Sequence, residues 1–217
     1  MAAESDETQE RILDAALNRV LQVGVRRASL DDIARRAGVN RVTIYRRFTT
    51  KENLIDAVLG REIRRVLAEV TAIATATEGI DAQIEATVFH VLRQTQTHPL
   101  VTRLLDVAPE EILDFYTVRG EQAVALGVGY IGDILEHTQQ IGKIDRYDPL
   151  PVAELLARLA HSVLLTPAGG LDFRDEERVR AFVAGTIVPL VRYGVPTSGA
   201  DGRKKSGTNA KGAGVRS

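Results

Sequence analysis

Residues 29–54 read SLDDIARRAGVNRVTIYRRFTTKENL, and this stretch decides how the rest of the chain is to be understood. Ser29 is a good helix N-cap, with Asp32 at the third helical position to complete a capping box. Leu30, Ile33, Ala34 and Ala37 then recur on one face, and Gly38 stops the helix. Asn40 caps a second short helix, with Val39 placed to staple onto Ile44 and Phe48 continuing that face. Thr49 and Glu52 repeat the capping-box spacing and open a third helix. Two short helices joined by Ala37-Gly38-Val39-Asn40 have the proportions of a helix-turn-helix, whose second helix enters the major groove of DNA.

The periodicity of the second helix supplies a sharper test than its length. At about 100° per residue with Arg41 at zero, Ile44 and Phe48 fall near ~300° and ~340° and define the buried side. Arg46 at ~140°, Val42 at ~100° and Thr43 at ~200° then face outward, toward base edges. Tyr45 and Arg47 flank that face, placed for the phosphate walls, and Arg41 projects at the helix start. Arginine can bond guanine O6 and N7, while the Thr and Val methyl groups can meet the thymine methyl. Lys51 with the first N–H groups of the following helix, and the Ser29 end of the preceding one, are candidate anion sites.

Charge agrees with this placement. From Gly24 to Lys51 eight basic residues stand against Asp31 and Asp32, a local charge of +6, whereas residues 52–199 hold thirteen basic and twenty-one acidic residues, or −8. A basic head on an acidic body suits a polyanion-binding module, although a solvated arginine-rich face is the plainer alternative.

Working outward, helical periodicity dominates and no period-two run bounded by hairpin turns is found, so the chain reads as all-α. A helix is expected over about 8–23, ended by Gly24. The helix after Thr49 carries an apolar stripe from Leu54 to Ile73, long enough to connect two parts of the molecule. Further helices are expected over 80–97, 100–107, 109–140, 149–165 and 175–193, the last kinked at Pro189. Residues 1–50 are expected to form the basic head, 51–196 a larger helical body with its first helix as connector, and 197–217 a Gly/Ser/Lys-rich tail expected to be disordered. In that tail Arg203, Lys204, Lys205, Lys211 and Arg216 could add non-specific DNA attraction, or simply be solvated.

The absence of cysteine excludes disulfides, thiolate metal sites and cysteine nucleophiles. The longest uncharged stretch, from Leu159 to Leu171, is too short to span a bilayer, and the acidic, polar start is unlike a signal peptide, so a cytoplasmic protein is expected. Gly127-Val128-Gly129-Tyr130-Ile131-Gly132 matches G-x-G-x-x-G, but no strand leads into it, and small residues at a helix bend or close packing are the simpler reading. His90, His98, His137 and His161 show no ligand spacing, and no nucleophile elbow, P-loop or paired-carboxylate motif is present, so neither cofactor nor enzymatic activity is expected.

Taken together, the helix before Ser29 and the elements Ile33-Ala34, Ala37-Gly38-Val39, Thr43-x-Tyr45-x-x-Phe48 and Lys51-Glu52-x-Leu54 resemble the DNA-binding domain of TetR-family transcriptional regulators over about residues 10–59. The resemblance implies that Thr43, Tyr45 and Lys51 hold phosphates and that Arg41, Val42 and Arg46 lie nearest the bases. Arg47 departs from the family, which more often has an aromatic residue or histidine there. The family also implies a homodimer that binds a double-stranded DNA operator, most often as a repressor released by a small-molecule effector. A regulator without a ligand, or an all-α lipid-binding protein or enzyme, is the alternative. In the body, Phe89, Arg93, Phe115, Tyr116, Tyr130 and His161 are candidates for an effector pocket, the alternative being ordinary core. Leu155, Leu159, Val163, Val179, Phe182, Val183, Ile187 and Leu190 offer apolar stripes for a four-helix dimer interface.

Overall fold

Within residues 29–54 the expected caps are present, with two changes. Ser29 caps α2 (Leu30–Ala37) by accepting from the Asp31 N–H, and Gly38, at φ 65°, closes it. Asp32 does not reach back to complete a box; its carboxylate is taken by Arg19 of α1, by Arg35 and by Arg36. Asn40 caps α3 (Arg41–Phe48) by accepting from the Val42 N–H at 2.9 Å. The second change is at the start of α4 (Lys51–Ala76), whose cap is Thr50 and not Thr49. Thr49 has a positive φ of 62° and donates its N–H to Tyr45 O, while the Thr50 N–H bonds Phe48 O at 2.6 Å. That i to i+2 bond is a γ-turn, so Thr49 is consumed in ending α3 and cannot take the extended conformation a cap needs.

This computed structural model describes residues 2–117 and 120–195. The side chains of residues 2–5, 111, 112, 114, 115, 122 and 123 lie outside the described residues, and with them the Phe115 candidate. So does the whole of the tail over 197–217, including Arg203, Lys204, Lys205, Lys211 and Arg216.

Every regular element among the described residues is a helix. α1 (Ala2–Val23) begins six residues earlier than its apolar pattern, because the leading polar residues carry no periodic signal yet continue the helix. α5 (Ile80–Thr97) and α6 (Pro99–Val107) meet at His98. Within the helix expected over 109–140 the described residues form α7 (Pro109–Thr117) and α8 (Gly120–Gln140), and 118–119 lie outside the described residues. Gly120 is buried against His161, whose Nε2 would lie 3.1 Å from an added Cβ, so a larger residue here would push the ring back by a few tenths of an ångström. α9 (Pro149–Leu165) is capped by Asp148. The last helical stretch is interrupted as expected: α10 (Glu176–Phe182) passes through a π-turn, Val183–Ile187, into α11 (Val188–Tyr193). Pro189 has no N–H for the Gly185 carbonyl and its ring crowds that carbonyl; the wider turn relieves the clash.

Two apolar cores form. The first unites α1, α2 and α3 through Ile12, Leu13, Ala16, Ile33, Ile44 and Phe48 with Leu54, Ile55 and Val58 of α4, and also with Leu100 and Leu104 of α6. The head therefore does not end at residue 50: it is completed by the first half of α4 and by a helix forty residues further on. The second core gathers α5, α8, α9 and α10–α11 around Leu92, Leu135, Val152 and Val163.

Four residues assigned above to a dimer face belong instead to this second core. Val163, Val179, Val183 and Ile187 are at most 4% exposed, because α10–α11 and α9 each turn their widest apolar side toward α5. Leu159, Phe182 and Leu190 are half-buried, and Leu155 is 52% exposed. Outward from α10–α11 lie the small residues Ala181, Ala184, Gly185, Thr186 and Pro189 and then Tyr193, with Arg178 and Arg180 exposed nearer the start.

Because Leu100 is 5% exposed inside the head's core, Leu100→Ala should destabilise the head by about 2–5 kcal/mol. Hydrogen exchange should show faster opening of α1–α3 in that variant than in the wild type. Unchanged protection of α1–α3 would mean that α6 is not part of the head.

Candidate nucleic-acid interface and internal cavity

The surface of α3 is built as the wheel requires. Ile44 and Phe48 are buried at 1% and 8% exposure, which turns Val42, 70% exposed, and Arg46 to solvent. Thr43 is half-buried beside them. A branched apolar side chain so exposed on a helix with a well-filled core is surface available to a partner.

Arg41 and Tyr45 are engaged with each other. The Arg41 guanidinium donates through Nη1 to both Asp31 oxygens, at 3.0 and 2.8 Å, and through Nη2 to the Tyr45 hydroxyl at 3.0 Å. Its Cζ also lies 5.3 Å from the centre of the Tyr45 ring. The hydrogen bond to Tyr45, then that to Asp31, raises the Arg41 pKa further above its ordinary value. The pair is exposed, so a phosphate can replace Asp31 as partner at little cost. Arg47 is half-buried and does not project as freely as Arg46. Lys51 donates from Nζ to the Arg26 carbonyl at 3.0 Å, which ties the loop before α2 to the start of α4 and leaves two N–H donors. Ser29 uses its oxygen for the cap and keeps its proton for an anion.

Asp32 holds the basic face together from below. Burial opposes its charge, but the hydrogen bond from Arg36 and the charges of Arg36, Arg19 and Arg35 outweigh it and hold the carboxyl below its ordinary 3.8. Where α4 leaves the head, Arg61 is 5% exposed and bonds Glu10 Oε2 at 3.0 Å, Asp14 Oδ1 at 2.9 Å and Glu62 Oε1 at 3.2 Å. Two of those carboxylates belong to α1, so this one guanidinium fastens α4 to the head.

Below that joint lies a cavity of about 370 Å³ between α4, α5, α6, α8 and α9. Its walls are mostly apolar: the stripe of α4 from Leu59 to Val70 supplies one side, and Ile84, Val88, Leu92, Ile131 and Leu156 supply others. Of the residues proposed from the sequence, Tyr116, Tyr130 and His161 line it. Phe89 sits instead in the second core with the Arg180 guanidinium 3.7 Å from its ring centre, and Arg93 pairs with Glu176 on the surface. Of the G-x-G-x-x-G glycines, Gly127 lets α8 approach α9, since an added Cβ would meet the Ala157 Cβ at 3.3 Å. Gly129 and Gly132 face open space.

Residues 12–58 match the profile described as bacterial regulatory proteins, tetR family, a span that coincides with the first core from α1 to Val58. A curated HTH-type transcriptional regulator of Mycobacterium tuberculosis, Rv1255c, is 28% identical over 183 residues, 84% of each chain. The head over these residues matches the TetR-family DNA-binding domain, and the curated relatives are HTH-type transcriptional regulators. The fold is that of TetR-family crystal structures: a regulator from Pectobacterium atrosepticum aligns with a TM-score of 0.63 at 21% identity, over 88% of this chain and 95% of that one. The repressor AlkX from a Dietzia strain aligns at 0.62 and 18% identity, over 84% and 94%. Among the described residues, no helix is long and apolar enough to cross a membrane.

Arg61, Glu62 and His98 were not singled out from the sequence as site residues. Arg61 and Glu62 look like ordinary surface charges there, and the only available signal was that both fall beside the apolar stripe of α4. For this TetR-family head, Asp32→Asn should lower the melting temperature at neutral pH. Since the folded pKa lies below 3.8, the stabilisation from ionised Asp32 is lost as the pH falls through that lowered value, and the variant and wild-type curves should converge in strong acid. A constant offset between the two at every pH would assign the effect to packing instead.

Proposed function

We propose that this chain is a TetR-family regulator, a homodimeric repressor released from its DNA operator by an apolar small molecule held in the cavity of the body. The cavity carries this reading. Its volume of about 370 Å³ and apolar walls suit a small ligand, and α4 and α6, which wall it, also complete the core of the head. A ligand that prefers one arrangement of α4 and α6 must shift the head with them, and operator DNA must weaken that ligand by the same factor. AlkX, which shares the fold, is implicated in the biodegradation of n-alkanes, which supports an apolar effector here too.

In the DNA complex Arg46 reads base edges with Val42 and Thr43 against base methyl groups. Ser29, Arg41, Tyr45 and Lys51 hold phosphates, Arg41 exchanging Asp31 for the backbone, and Arg47 supports the groove wall. In a mobility-shift series on DNA selected from a random pool, Lys51→Ala should weaken all sequences alike and flatten the salt dependence. Arg46→Ala should cost about 1–3 kcal/mol and relax sequence preference. An Arg46→Ala protein as selective as the wild type would remove Arg46 from the groove.

The dimer face runs along the outward sides of α9 and α10–α11, with Leu155 at 52% exposure on the first and the small residues Ala181, Gly185 and Pro189 on the second, where another helix can approach closely. Sedimentation should show a dimer for the wild type at micromolar concentration and a monomer for Leu155→Glu. A Leu155→Glu protein that dimerises fully would place the interface elsewhere.

A further inference from the structure

The polar groups lining the cavity are mostly committed to the protein itself. The Tyr130 hydroxyl donates to Leu67 O or pairs with Thr71, and Thr87 and Thr95 donate to backbone carbonyls of their own helix. His161 Nε2 bonds Tyr116 O at 2.7 Å, and Gln94 donates to Glu69. The remaining place is where Glu62 of α4 faces His98 at the start of α6.

Their geometry is specific. His98 Nδ1 accepts the Leu100 N–H at 3.3 Å as the cap of α6, which in the neutral ring puts the proton on Nε2. That Nε2 stands 3.9 Å from Glu62 Oε2, too far for a direct hydrogen bond. Oε1 of the same carboxylate takes Arg61 and Arg65, each at 3.2 Å, while Oε2 is met only by Arg65 at 3.5 Å. A donor and an acceptor therefore stand 3.9 Å apart, and an atom set to one side of the line between them, bonded to both at ordinary hydrogen-bond lengths, must accept from nitrogen and donate to oxygen. A hydroxyl does both. An ammonium cannot accept, an ether cannot donate, and a carboxylate would sit against Glu62 with no lysine or arginine among the described lining residues to hold it.

The geometry points to a neutral apolar molecule with one hydroxyl group as the cavity's ligand class, its oxygen bridging His98 Nε2 and Glu62 Oε2. The inference rests on the cavity being the effector site. A cavity volume of about 370 Å³ suits a medium-chain or bicyclic alcohol. The bridging position also carries a consequence for control. Glu62 shares Arg61 with Glu10 and Asp14, so a hydroxyl that draws Oε2 toward the cavity acts on the ion cluster fastening α4 to α1.

The test is calorimetric titration of the intact protein with four probes of one chain length: 1-decanol, decyl methyl ether, decylamine and decanoate. Decanol should bind at least about tenfold more tightly than each of the others. His98→Asn, which keeps a good cap for α6 but removes the Nε2 donor, should abolish most of that advantage, as should Glu62→Gln. Because Glu62→Gln disturbs the Arg61 cluster, the His98 variant alone decides the outcome if the Glu62 variant does not fold. Equal affinity for decanol and the ether overturns the head-group assignment and leaves the cavity as effector site. Preference for decanol that survives in His98→Asn overturns the role of that residue pair. Failure of all four probes to bind overturns both this inference and the cavity reading beneath it.

Discussion

The buried guanidinium of Arg61 is the constraint on which the rest of the structure depends. A charge with so little exposure needs carboxylates beside it, and Glu10 and Asp14 of α1 meet its Nη1 from across the joint while Glu62 meets Nε and Nη2 is left buried without a partner. Moving α4 relative to α1 would strip a buried cation of its partners. The position of α4 is therefore held by discrete bonds in addition to apolar contact. Because the packing of the α3 face is set by the same core, the posture of the recognition helix follows from that of α4.

The sharing of α6 makes this arrangement more than a hinge. A head closed by its own three helices could ignore events in the body. Here Leu100 and Leu104 fill part of the head's core, Tyr116 packs on it from the side, and His98, two residues before Leu100, faces the cavity. The second core has no such dependence: it is closed by α5, α8, α9 and α10–α11 with Ile144, Tyr147 and Phe173 of the intervening segments.

Much of this was legible in the residues, for reasons that are local. Ser29, Asn40, Gly38 and the face of Ile44 and Phe48 act within one or two turns, so spacing alone places them. The same holds for the helices starting at Ile80 and Pro149. What failed depended on distance or direction. The choice of Thr50 over Thr49 as cap turns on a backbone angle that composition does not encode. Val163, Val179, Val183 and Ile187 are apolar whether they face a partner or α5, and only the packing decides. Phe89 and Arg93 were misplaced in the same way, since an aromatic ring or a cation can serve core, surface or cavity. Arg61 and Glu62 show the converse, being charged residues whose burial no window of sequence reports.

The γ-turn at Thr49 has a mechanical meaning. A β-branched residue at φ 62° is held in a poorly populated conformation, at a cost on the order of 1–3 kcal/mol. It is the junction between α3, the candidate DNA-reading helix, and α4, which walls the cavity, with only Thr49 and Thr50 between them. A glycine there would relax the backbone and leave slack between the two rods. A threonine, locked on one side to Tyr45 and on the other to Phe48 through Thr50, leaves none, so a rotation of the long rod must appear undiminished in the short one. The molecule forgoes some stability at this residue and in exchange has a coupling without backlash.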